Sequence, residues 1–247
     1  LPSAQGRLSM ARRRPLGLVG VIPPFNFPLY LAMRAVAPAL ALGNAVVLKP
    51  DPRTAVCGGV VIARLFELAG LPAGVLQMLP GDGQAGAALT ADAHVAAIQF
   101  TGSTAAGRHV GQACGKHLKK VSLELGGKNA TLVFADSDWQ DQLDILVRSA
   151  FQNSGQICLC GSRILVEHGI ATQFAEAFVE RVRALRVGDP VDPDTQLGPV
   201  VSQAHFDRVM AAIAQARADG GRVLCGGDAL QRPGWFIAPT VIDGLGP

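Results

Sequence analysis

Five short apolar runs, each followed by a segment of helical length, constrain this chain more than any other feature. Leu16–Ile22, Ala45–Lys49, Val75–Leu79, Val95–Phe100 and Lys120–Leu125 are Val-rich, and Gly, Pro or Asn flanks most of them. They read as buried strands. Between them lie Pro28–Leu42, Arg53–Ala69, Gly83–Thr90 and Ser103–His117, which read as helices. Strands alternating with crossover helices predict an α/β architecture, a parallel sheet with helices on both faces. After Gly126-Gly127 the pattern restarts, with strands over Ala130–Phe134 and Arg163–Glu167. Helices follow over Trp139–Gln152, Ile170–Leu185 and Ser202–Asp219. The expected organisation is therefore an arm over 1–14, one α/β domain over 15–126 and a second, partial one over 127–247. The start at Leu1 and the end at Pro247 read as truncations of a longer chain.

Composition narrows the function. Hydrophobic residues make up 49% and charged residues 17%, which favours a buried core over disorder. The net charge is only +3 and the one basic run is Arg12–Arg14, so no nucleic-acid partner is expected. The five cysteines are odd in number and scattered, which argues against a disulfide framework and for a reducing, cytoplasmic compartment. Cys158 and Cys160 have the wrong spacing for a zinc knuckle, so no metal is expected. No apolar run reaches the roughly 18 residues of a membrane span.

Four segments could carry chemistry. Gly81-Asp82-Gly83-Gln84-Ala85-Gly86 has G-x-G-x-x-G spacing between a strand and a helix, but no acidic residue follows at the usual distance. It is equally a glycine-rich turn. Phe100 to Arg108 forms a second strand-to-helix junction, whose free N–H groups and hydroxyls could hold phosphate or simply cap the helix. Leu123-Glu124-Leu125-Gly126-Gly127-Lys128 puts a carboxylate at a strand end. In apolar surroundings it could be a general base, and otherwise a surface glutamate paired with Lys128. Gly155-Gln156-Ile157-Cys158 puts a cysteine after a glycine break, either as a nucleophile or as a small buried hydrophobe.

The order of these segments, together with Pro24-Phe25-Asn26-Phe27-Pro28, Ala37 to Asn44 and Val47-Leu48-Lys49-Pro50, resembles the aldehyde dehydrogenase superfamily over essentially the whole chain. The resemblance implies a Rossmann-type parallel-sheet cofactor domain followed by a partial α/β catalytic domain, and residues 1–14 as part of an oligomerisation arm. It implies Cys158 as nucleophile, Glu124 as base and Asn26 as oxyanion donor. It assigns Lys49 to the adenosine ribose, Thr101, Gly102, Ser103 and Gly107 to the pyrophosphate, and Gly81 to the adenosine half. Ile22, Pro23, Phe25 and Leu125 complete the cofactor-binding set. The implied cofactor is NAD, with NADP as an alternative, and the implied reaction is oxidation of an aldehyde to a carboxylic acid through a cysteine thioester. The implied assembly is a homodimer or homotetramer.

The chain departs from the family pattern at two places. Pro52 stands where a glutamate usually binds the ribose hydroxyls, leaving Lys49 and Arg53 to attract a 2′-phosphate. Ala35 replaces a frequent lysine, and its neighbour Arg34 should point about 100° away on the helix. Asn44 to Ala55 resembles aromatic-aldehyde (benzaldehyde-type) members, whereas Lys128-Asn129 and Ile157 to Arg163 resemble muconic-semialdehyde members. Two other classes compete: a cysteine hydrolase or acyl transferase without a redox step, and a non-catalytic protein on this fold. NADH formation with an aldehyde discriminates against both.

Overall fold

The computed structural model describes residues 5–246 and divides at Gly126/Gly127 into two compact units. The first holds five strands, β1 (Leu18–Ile22), β2 (Ala45–Leu48), β3 (Leu76–Met78), β4 (Val95–Thr101) and β5 (Lys120–Glu124). All pair in parallel, in the order β3-β2-β1-β4-β5. The helices α1 (Pro28–Ala41), α2 (Val61–Leu68), α3 (Gly83–Ala91) and α4 (Thr104–Lys116) make the crossovers. The order reverses at β1, which has β2 on one side and β4 on the other. In such a sheet the ligand crevice opens at the carboxyl ends of the strands flanking that reversal.

Period-2 patterning explains the burial. Val19, Val21, Val46 and Leu48 pack with Ala32 and Val36 of α1 and Ile62 of α2 on one face. Ile22, Val95, Ile98 and Phe100 pack with Leu89 of α3 and Cys114 of α4. Ile62 and Ile98 are almost wholly buried, and such a side chain contributes about 1.5–3 kcal/mol relative to leaving it exposed.

Arg53–Ala69 is not one helix. Pro52–Thr54 is a 3-10 turn, Val56–Val60 a π-helical turn, and only Val61–Leu68 is α-helical. Pro52 starts the turn with its φ already fixed. Gly59 then brings the backbone so close to Pro50 that an added Cβ would lie 2.7 Å from the proline ring. The arm before β1 is exposed, and no strand or helix is assigned over Arg7–Arg14; the first four residues of the expected arm lie outside the described residues.

The second unit pairs β6 (Ala130–Val133) with β7 (Arg163–Val166) in parallel. Its helices are α5 (Leu143–Phe151), α6 (Ala171–Arg183) and α7 (Gln203–Ala218). Trp139, expected inside the first of these, sits in turns ahead of it, yet anchors the core edge-on to Phe174 at 5.4 Å between ring centroids. An antiparallel pair, β8 (Arg222–Cys225) and β9 (Val241–Asp243), was not expected. Strands of four and three residues carry too little alternation to stand out from loop sequence.

Candidate active site

In the first unit the candidate residues gather where the strands end. β1 runs out at the buried Ile22, and Pro23 to Phe27 turn the chain into α1, which begins at Pro28. Asn26 and Phe27 border an apolar cleft of about 780 Å³ between α1 and α2, lined also by Tyr30, Met33, Leu65 and Phe66. Lys49 follows β2 and is buried, only 6% exposed. Burial pushes its ammonium pKa down, while Asp51 and Asp82 pull the other way without overcoming it.

Gly81, after β3, has φ +147°. The next residue, Asp82, caps α3 by accepting from the Gln84 N–H at 2.9 Å. A carboxylate thus occupies the helix end where a G-x-G-x-x-G motif would seat pyrophosphate, and two anions there would repel. The junction after β4 has no such obstacle. Ser103 caps α4, accepting from the Ala106 N–H at 3.2 Å; the other first-turn N–H groups of a helix face its N-terminal end, where the dipole favours an anion.

That junction is tied to the end of β5. The Gly102 N–H donates to the Glu124 carbonyl at 3.0 Å. Gly107 lies so close to Leu125 that any Cβ would overlap the leucine side chain. The first turn of α4 therefore packs directly on the residue after Glu124. The Glu124 side chain is 51% exposed and sits 3.4 Å from Arg34 Nη2, so of the two surroundings left open for it this is the surface one, with Arg34 in place of Lys128 as its partner. The arginine side chain is long enough to span the angular offset that set Arg34 apart from position 35.

The second unit presents Cys158 on an exposed turn, with the Cys160 N–H donating to the Ile157 carbonyl at 3.2 Å. The Asn129 side-chain amide donates to the Cys158 carbonyl at 2.9 Å. Upstream, Asn153, Ser154 and Gly155 are all left-handed, with φ of 53°, 55° and 74°. Two non-glycine residues in that region are a strained arrangement that needs outside support. Ser154 Oγ donates to the Gly198 carbonyl at 2.7 Å. The Gln156 amide bridges the Asn153 carbonyl at 3.1 Å and the Val201 N–H at 3.0 Å. No sequence signal announced the Gly198–Val201 strap. Cys160, two residues on, is buried, and burial pushes its thiol pKa up.

No group of His, Cys, Asp or Glu among the described residues could hold a metal, and none of their helices is long and apolar enough to cross a membrane.

One unit is a doubly wound parallel sheet of the α/β class, and the other carries an exposed cysteine on a braced loop. The chain belongs to the aldehyde dehydrogenase family, whose sequence profile matches residues 1–247. It is 49% identical over 247 residues to a vanillin dehydrogenase of Amycolatopsis, matching 100% of this chain and 50% of that protein. It is 46% identical to the benzaldehyde dehydrogenase [NAD(+)] of Pseudomonas putida, matching 98% of this chain and 50% of that one. The crystal structure of PnpE in complex with nicotinamide adenine dinucleotide superposes with a TM-score of 0.90 at 40% identity, covering 94% of this chain and 48% of that one. The chain thus spans about half the length of the curated relatives it matches.

Proposed function

We propose that the intact protein oxidises an aldehyde, with aromatic aldehydes preferred, to a carboxylic acid, using NAD. The observation that carries this reading is the exposed Cys158 on a loop braced at several points, within a chain of this family. The aromatic preference rests on the relatives that act on vanillin and benzaldehyde.

The residues present fit a dinucleotide by their donor chemistry. Lys49 offers a buried ammonium, and Ser103 with the first turn of α4 offers N–H and O–H donors at one edge of the sheet. When bound, the nicotinamide accepts the hydride.

The work of the chain's own residues follows from their chemistry. The Cys158 thiolate adds to the aldehyde carbon, and the carbonyl oxygen becomes an oxyanion. Donors placed for that oxygen stabilise the transition state more than the ground state; the Asn26 amide and the Cys158 N–H take this role. Loss of hydride leaves an acyl thioester on Cys158. The Glu124 carboxylate removes a proton from water as it attacks the thioester, and Cys158 leaves as thiolate. Residues 15–126 would supply cofactor binding and 127–247 the nucleophile. Oligomerisation through the arm is part of the same proposal.

The test is NADH formation by the intact protein with vanillin or benzaldehyde, with intact-mass detection of an acylated Cys158 when Glu124→Gln stalls the thioester. An absence of NADH with every aldehyde tried, or an acyl group on another residue, would overturn the reading.

A further inference from the structure

We infer that Asp51 sets the preference for NAD over NADP by holding Arg53 in a closed ion pair, which withholds the guanidinium from a 2′-phosphate. The inference rests on the dinucleotide reading above and deepens it.

The observations lie in one short segment after β2. Pro52 fixes the first position of the 3-10 turn, and Asp51 is its cap, accepting from the Arg53 N–H at 3.0 Å. The same carboxylate takes Arg53 Nε at 2.8 Å and Nη2 at 2.6 Å. One carboxylate thus meets one backbone and two side-chain donors of a single residue, the bidentate geometry of strong charge-assisted pairs. The guanidinium also lies 4.3 Å from the Phe25 ring centroid, which covers one of its faces. The Asp51 side chain is only 16% exposed. Burial pushes its pKa up, yet the hydrogen bonds and charge of Arg53 outweigh burial and hold the carboxyl below its usual range. Both partners are charged, and the pair engages the Nε and Nη2 side of a guanidinium that stays 39% exposed.

This changes what Pro52 means. Without a glutamate at that position, Arg53 looked free to recruit a phosphate. Instead Asp51 supplies a carboxylate beside Lys49 and occupies the Nε–Nη2 fork of the guanidinium, one of the two forks a phosphate could take. A 2′-phosphate taking that fork would have to break the pair, and it would meet the repulsion of Asp51. The hydroxyl of NAD asks for neither. Asp51 and Asp82 act on Lys49, and Asp51 also on Arg53, so each of these two cations has a carboxylate nearby.

The experiment measures equilibrium binding of NAD+ and NADP+ to the intact protein by titration calorimetry. Asp51→Asn keeps an oxygen for the Arg53 N–H and removes the charge. It should tighten NADP+ binding about tenfold, the scale of one charge-assisted hydrogen bond, and leave NAD+ nearly unchanged. Asp51→Ser, which keeps a capping hydroxyl, is a second route to the same release should the asparagine variant misfold. Adding Arg53→Gln to either should remove most of the gain, because the guanidinium is the group released and only the relief of Asp51 repulsion remains. An unchanged NADP+ to NAD+ ratio in folded Asp51 variants overturns the assignment. So does a gain that survives Arg53→Gln undiminished, since lost repulsion alone would then account for it. Wild-type protein that binds neither dinucleotide overturns the cofactor reading itself, and this assignment with it.

Discussion

Arg34 Nη2 stands 3.4 Å from Glu124 Oε1, one guanidinium nitrogen to one carboxylate oxygen, joining α1 to the end of β5. The contact is long and both side chains are about half exposed. Exposed pairs of this kind are worth about 0.2–1 kcal/mol. It is a tether that biases where the carboxylate rests and does not lock it.

If Glu124 is the base for thioester hydrolysis, the tether acts on that step. Arg34→Ala should slow steady-state turnover by up to about fivefold, as a loss of up to 1 kcal/mol allows, while the rapid first turnover of NADH stays near wild type. Arg34→Lys should recover most of the loss. Stopped-flow absorbance at the NADH band separates the two phases. An equal fall in both would assign Arg34 to an earlier step.

Glu124→Gln removes the base and keeps the shape. The first turnover of NADH should persist and steady-state turnover should fall by about 10²–10⁴, the range of general-base contributions. Burst and steady-state rates that drop together would mean that Glu124 serves acylation as well.

Cys158→Ala should abolish turnover while the cofactor still binds. The neighbouring thiol is no substitute. Cys160 is buried, and burial raises its pKa, so its thiolate fraction at neutral pH is small. Raising the pH through its elevated pKa would increase that fraction. Turnover of Cys158→Ala at neutral pH that iodoacetamide abolishes would show that Cys160 had taken over.

Much of the architecture was legible because it depends on local patterning. β1 to β7 lie within two residues of the expected runs, since short β-branched, apolar stretches bounded by Gly, Pro or Asn favour the extended chain whether or not they are buried. What escaped was decided by tertiary contact. The break in Arg53–Ala69 depends on Gly59 meeting Pro50. Arg53 looked free in sequence, and only the folded turn shows it closed on Asp51. For Glu124, strand-end position was readable from Leu123-Glu124-Leu125-Gly126. A surface glutamate was one of the two readings, but its partner was not legible: the fold brings Arg34 of α1 to it, where the sequence offered Lys128.

The braced loop before Cys158 offers a separate test. Gln156 spans the Asn153 carbonyl and the Val201 N–H, and Gln156→Ala should cost about 1 kcal/mol for each hydrogen bond lost. Part of that cost is offset because Asn153 and Ser154 can then leave the left-handed region. Global stability should therefore fall little, while turnover falls by tenfold or more, as misplacement of a reacting atom by about 1 Å is costly. Thermal melting set beside kcat checks this split; a fall in melting temperature without loss of kcat would assign Gln156 to folding alone.

Residues 1–247 expressed by themselves should be inactive and should self-associate. The reason is in the surface they present. β5 is an edge strand whose Val121 and Leu123 are exposed, and Leu118 beside it is 94% exposed. In the second unit Leu132, Phe134 and Leu165 are exposed around the β6–β7 pair. Open edges next to apolar side chains template pairing with other chains. The net charge of +3 on 247 residues offers weak protection, because self-repulsion grows with net charge. Activity should fail for a different reason. The chain spans half the length of its relatives, and hydride transfer needs the nicotinamide fixed to within about 1 Å of its target. Size-exclusion chromatography with light scattering, followed by an NADH assay with benzaldehyde and with a muconic semialdehyde, tests both halves. A monodisperse monomer with full turnover would show that these 247 residues cover their own apolar surface and position both substrates unaided. Charged substitutions on the edge, such as Val121→Lys and Leu123→Glu, should reduce the association if β5 carries it, and should leave it unchanged if the second unit does.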